Sequence, residues 1–142
     1  MASRNVETFR AAHDAFNRRD FDGVIAPFTD GFTYVDQPRA VTLTKPQFKD
    51  VFMQGWVSSF SDAQVTQAEY IDGGDTVVCR FVGRGTNDGP LEGAPPTGRT
   101  MTLPFVEIMR FDPQGRITGG EAIYDQATIL TQLGLMPAPA GA

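Results

Sequence analysis

The sequence predicts an α+β fold in which a curved antiparallel sheet wraps around N-terminal helices and leaves a cone with one open end. Two observations carry this. Apolar residues recur at helical spacing up to Trp56, and from Ala63 onward the period changes to two. The later segments are joined by hairpin turns and not by helices. A chain of 142 residues holds one domain with a real core and is too short for two ordinary ones.

The elements follow in order. Val6, Phe9, His13 and Phe16 lie three and four apart, on one stripe of a first helix. Asp20 is placed to cap a short second helix with Phe21, Val24, Ile25 and Phe28 on its apolar face. Asp30-Gly31 reads as a turn, and Phe32 to Asp36 as a short strand ended by Pro38. Thr44 followed three residues later by Gln47 is a capping-box pattern. Behind it Phe48, Val51, Phe52 and Trp56 form the stripe of a third helix. Val65 to Ile71 and Thr76 to Gly85 make a hairpin across Asp72-Gly73-Gly74-Asp75. Residues 87–98 hold three prolines and three glycines and form a loop. Arg99 to Phe111 and Arg116 to Tyr124 are the last strands, joined by a turn at Asp112-Pro113-Gln114-Gly115. A short helix from about Gln126 to Leu133 ends at Gly134, which suits a left-handed position. The expected organisation is one domain over 1–137 and a mobile tail over 138–142.

Composition excludes several function classes. Seventeen acidic against twelve basic residues give a net charge of −5 with no like-charge block, which argues against a nucleic-acid partner. No apolar run reaches the roughly 18 residues of a membrane span, so no membrane partner is expected. The start of the chain has no apolar signal region, and the expected location is cytoplasmic. One histidine and one cysteine are too few for a zinc site of the His/Cys type, and one cysteine cannot make an internal disulfide. No metal and no cofactor are expected. Any chemistry falls to carboxylates, tyrosines or arginines.

Four stretches carry a resemblance. They are Ala15-Phe16-Asn17-Arg18-Arg19-Asp20-Phe21; Phe60-Ser61-Asp62; Gly93-Ala94-Pro95-Pro96-Thr97-Gly98-Arg99; and the closing strands with Tyr124-Asp125 and Gln132-Leu133-Gly134. Together, in this order and spacing, they make the chain resemble the SnoaL-like polyketide cyclases. These are a branch of the superfamily named after nuclear transport factor two and ketosteroid isomerase. The resemblance implies a cone-shaped α+β barrel, often a homodimer, with an apolar pocket for a small apolar or polycyclic molecule. It also implies cofactor-independent cyclase or isomerase chemistry through an enolate or aldol step. An aspartate on the family's last strand matches Asp125, His13 matches a polar position of the first helix, and Tyr34 and Asp36 are the candidates near the first strand. Two departures stand out. No histidine lies on the penultimate strand, where Glu107 stands instead, and Gln37, not a carboxylate, precedes Pro38.

The residues themselves leave alternatives open. Enolisation needs a base near an acidic C–H and a donor for the oxyanion. Asp125 shares strand parity with Glu121 and Ile123, and an inward face would set an acid on an apolar wall; Asp125 is equally well placed to cap the last helix. Asp36 and His13 are the other catalytic candidates, against a turn aspartate and a core histidine. Tyr34, Trp56, Glu107, Phe16 and Phe52 are expected around the substrate, with Glu107 also suited to an ion pair within the sheet. Two other functions fit the same fold. Asp125, Arg80 and Asp36 could activate water as in limonene-type epoxide hydrolases, or the cone could be a non-catalytic ligand-binding or dimerisation module.

Overall fold

The computed structural model describes residues 3–138. The tail expected over 138–142 lies, apart from Ala138, outside them. The chain runs α1 (Arg4–Asn17), α2 (Phe21–Ile25), β1 (Phe28–Asp36), a 3-10 turn (Gln37–Arg39), β2 (Val41–Thr44) and α3 (Lys45–Gln47). It continues through a π-helical stretch (Phe48–Met53) into α4 (Gln54–Ser59), β3 (Gln64–Asp72), β4 (Thr76–Thr86), β5 (Thr100–Phe111), β6 (Ile117–Tyr124) and α5 (Gln126–Gln132). The strands form one open sheet in the order β2-β1-β6-β5-β4-β3.

The α+β class holds, and so do the cap signals. The Asp20 side chain accepts from the Gly23 N–H at the start of α2, and Thr44 and Gln47 form the capping box in full. Gly134 takes φ +74° after α5. Three expectations need correction. The sheet is mixed, because β1 pairs with β6 in parallel while the other pairs are antiparallel. Phe28, assigned above to the face of α2, opens β1; the strand runs through Asp30-Gly31, with a register shift between Phe28 and Thr33. The third helix is not uniform. Its π winding brings Phe48, Phe52, Met53 and Trp56 inward and turns Val51 out, leaving it 56% exposed. A π turn takes more residues than the 3.6 on which the stripe was counted.

The core lies between the concave face of the sheet and the helices. Phe28 and Phe32 stack at 3.9 Å, and the Tyr34 ring meets Phe48 at 4.7 Å and Phe52 at 5.1 Å. Each fully buried aromatic contributes roughly 1.5–3 kcal/mol of transfer free energy. These rings fix β1 against the π segment, and β1 carries Tyr34 and Asp36 inward on alternate positions.

Candidate active site

A partly enclosed cavity of about 80 Å3 lies inside the sheet, walled by aromatic and aliphatic side chains that include Phe16, Phe52, Trp56, Phe81 and Phe105. Four polar residues line it: His13 from α1 and Glu107 from β5 are buried, whereas Gln64 from β3 and Arg84 from β4 are exposed. Glu107 is 5% exposed and stands between the inward-facing Phe105 and Met109. As a carboxylate it can only accept hydrogen bonds. The Tyr34 O–H donates to its Oε2, and His13 Nε2 lies 2.8 Å from its Oε1. The other imidazole nitrogen, Nδ1, is 2.7 Å from Tyr70 Oη. With Glu107 accepting, Nε2 carries a proton, and in the neutral imidazole Nδ1 accepts from Tyr70. Burial and then the neighbouring Glu107 push the Tyr34 phenol well above its ordinary range. It stays a neutral donor. Burial likewise raises Tyr70, and lifts the adjacent Cys79 thiol to about 12, so neither is an anion near neutrality.

A second carboxylate–tyrosine pair lies nearby and does not border the cavity. The Tyr124 O–H donates to Asp36 Oδ1 at 2.8 Å. Arg39, from the 3-10 turn, is 3.7 Å from Asp36 Oδ2 and 3.6 Å from Glu92, and its guanidinium lies over the Trp56 ring at 5.5 Å. Asp36 is 1% exposed, and burial raises its pKa despite the hydrogen bond from Tyr124 and the charge of Arg39.

Asp125 lies elsewhere. It is exposed, and its carboxylate caps α5, accepting from the Ala127 N–H at 3.0 Å and the Thr128 hydroxyl at 2.9 Å. The β6 face that points inward is that of Ala122 and Tyr124, whereas Ile123 is 46% exposed. The face of Glu121, Ile123 and Asp125, whose direction the sequence left open, therefore points outward; where β6 crosses β5 the inward face has no room for a side chain. At Gly120 a Cβ would come within 2.6 Å of Met109 Sδ. The water-activating group is not assembled either: Arg80 is exposed, and Asp36 pairs with Arg39. Among the described residues no group of three or more His, Cys, Asp or Glu is placed to hold a metal ion. No helix of the described residues is long and apolar enough to cross a membrane.

The structure thus brings His13, Tyr34 and Glu107 together, with Phe16, Phe52 and Trp56 on the cavity wall. Sequence reasoning missed Tyr70, Tyr124 and Arg39. Tyr124 was legible from the parity of β6 had the small residues been placed inward. Tyr70 was hidden by a one-residue bulge. Thr66 pairs with Val82 and Glu69 with Arg80, so β3 carries an extra residue, with Gln67 at φ +53°. A bulge reverses the faces beyond it, turning Tyr70 in and Ile71 out.

Comparison with known proteins agrees with this architecture. No curated protein matches the chain. Among solved structures, IdmH of Streptomyces antibioticus, a candidate polyketide cyclase, superposes with a TM-score of 0.81 at 25% identity, over 93% of this chain and 99% of its own. AclR of Streptomyces galilaeus, a candidate hydroxylase, gives 0.83 at 21% identity, over 96% of this chain and 85% of its own. A protein of ketosteroid isomerase-like fold from Catenulispora acidiphila, in complex with trimethylamine, gives 0.76 at 21% identity, over 90% and 92%. The family profile for SnoaL-like polyketide cyclase matches residues 6–133, spanning both carboxylate–tyrosine pairs, and the chain belongs to that family.

Proposed function

We propose that the chain is a cofactor-independent cyclase or isomerase acting through an enolate of a small, mostly apolar carbonyl compound, with Glu107 as the acid/base. One observation carries the reading. Glu107 is a buried carboxylate on the wall of a largely apolar cavity, oriented by donors from Tyr34 and His13. A base of this kind removes a proton alpha to a carbonyl, and low local polarity strengthens its interaction with the developing charge. Asp125 is replaced in this role because its oxygens accept hydrogen bonds at a helix start, exposed to water. The expected homodimer belongs to the same proposal. Its support is the resemblance together with Ile71 and Ile123 exposed on the outer sheet face.

The test is proton exchange in deuterium oxide with a panel of one-ring and polycyclic enolisable ketones, read by NMR. Glu107→Gln loses roughly two to four orders of magnitude in exchange rate, the range for an acid/base group. Asp125→Asn stays within about twofold, since that side chain lies outside the cavity. Retained exchange in Glu107→Gln, or its loss in Asp125→Asn, overturns the assignment. A second reading has its own observation. The cavity, at about 80 Å3, is far below the usual 300–1,000 Å3 of ligand sites, and both Glu107 oxygens already have partners. Ketone binding without exchange would make the chain a ligand-binding module.

A further inference from the structure

Tyr70 stands at the outer end of a hydrogen-bonded row that crosses from the edge strand to the cavity. β3 closes one edge of the sheet, and Tyr70 on it is only half-buried. Its hydroxyl meets His13 Nδ1, His13 Nε2 meets Glu107 Oε1, and Glu107 Oε2 accepts a hydrogen bond from the Tyr34 O–H. The imidazole is clamped between rings, with Phe9 at 4.8 Å and Phe81 at 5.2 Å. It therefore links two points of the row, held between two rings. The groups around it are accounted for. Glu107 faces it from β5, Cys79 Sγ lies 3.9 Å from Nδ1 on β4, and Tyr70 faces it from β3. On α1, Arg10 lies over the Tyr70 ring at 4.7 Å, and the charge of Asp14 bears on Tyr70.

We infer that Tyr70 and His13 form a proton path between solvent at the sheet edge and Glu107, with Tyr70 as a positioning residue that acts through His13. The inference rests on Glu107 being the acid/base. In the arrangement present, each donor points toward Glu107. A proton from hydronium binds Tyr70 Oη, leaving water, as the Tyr70 proton passes to His13 Nδ1 and the Nε2 proton passes to Glu107 Oε1. One proton enters, Glu107 becomes a neutral acid, and His13 stays neutral with its proton moved to Nδ1. The reverse sequence returns the proton to water. From the Nε2-protonated row the path recharges Glu107 as an acid, and from the Nδ1-protonated row it takes the proton away.

His13 is the only histidine in the chain, so its ring signals in protein labelled with 15N-histidine are unambiguous. The wild-type ring is expected to be protonated on Nε2 and bare on Nδ1; the opposite tautomer overturns the path. Exchange of the Nε2 proton with water is then read by saturation transfer. Removing the hydroxyl in Tyr70→Phe is expected to slow it roughly tenfold, the scale of one lost hydrogen bond. Tyr124→Phe, which leaves the row intact, keeps the wild-type rate. A hydroxyl that only plugs the site gives the opposite result: Tyr70→Phe loosens the packing and exchange is unchanged or faster. If Tyr70→Phe loses the native amide spectrum, Tyr70→Met takes its place, and the wild-type tautomer is decisive on its own. These measurements need no ketone, so they can fail while Glu107→Gln behaves as an acid/base variant, and the reverse.

Discussion

Glu107 and Asp36 are both buried carboxylates bonded to a tyrosine hydroxyl, and they differ in everything that surrounds that bond. Glu107 is held by a tyrosine and an imidazole and borders a cavity. Asp36 is held by a tyrosine and a permanent cation, and Arg39 is itself shared with Glu92 and laid over Trp56. The first acid has space in front of it and partners that can move a proton. The second has a fixed counter-charge and no cavity beside it. On the proposed reading, burial alone does not mark the reactive acid; its partners and the space beside it do.

The sharpest way to break this comparison is to neutralise each acid in turn. Glu107→Gln is expected to remove roughly two to four orders of magnitude of ketone exchange. Asp36→Asn keeps the hydrogen-bonding shape and is expected to cost less than about tenfold, because no cavity borders it. Equal losses would mean that both pairs belong to one site. A smaller effect comes from the donors. Tyr34→Phe leaves one oxygen of a buried carboxylate without its donor and is expected to destabilise the fold by about 1–3 kcal/mol in urea unfolding. Tyr124→Phe is expected to cost less than Tyr34→Phe, because Arg39 remains beside Asp36.

The pH dependence sharpens the contrast further. The Asp36 pKa is raised on folding, chiefly by burial, so the folded state binds its proton more tightly than the unfolded chain does. Its contribution is full below the ordinary value of 3.8 and is lost as pH rises through the raised value. Wild-type stability is thus expected to fall relative to Asp36→Asn across that interval, measured by urea unfolding at a series of pH values. A rise would mean that the Arg39 ion pair outweighs burial. The smallest effect is that of Asp125→Ala, which removes a helix cap and is expected to cost about 1 kcal/mol of stability with exchange activity intact.

Local signals in the sequence hold at the helix caps and fail at Asp30-Gly31, a turn pattern that lies inside β1. The caps at Asp20 and Thr44 and the left-handed Gly134 each depend on a few adjacent residues. Tyr34, His13 and Glu107 were identifiable as polar residues on apolar faces, but their mutual contacts join residues up to 94 positions apart. What could not be read were changes of phase. The β3 bulge and the π turn each upset a regular count, hiding Tyr70 and misplacing Val51. The parallel β1–β6 pairing leaves no local trace either, since the hairpin signals concern only chain neighbours.

That pairing also governs when the molecule becomes whole. It sets Asp36 against Ala122, and the hydroxyl that reaches Asp36 lies 88 residues further along the chain. The Tyr34–Glu107 bond likewise spans 73 residues. Closing loops of this length must precede any return from the contacts they permit, which slows folding of such topologies. The two acids therefore stay without their tyrosines until the last strand has been made and docked. A chain stalled before β6 would display β1 and β5 as unpaired edges, open to pairing with other copies.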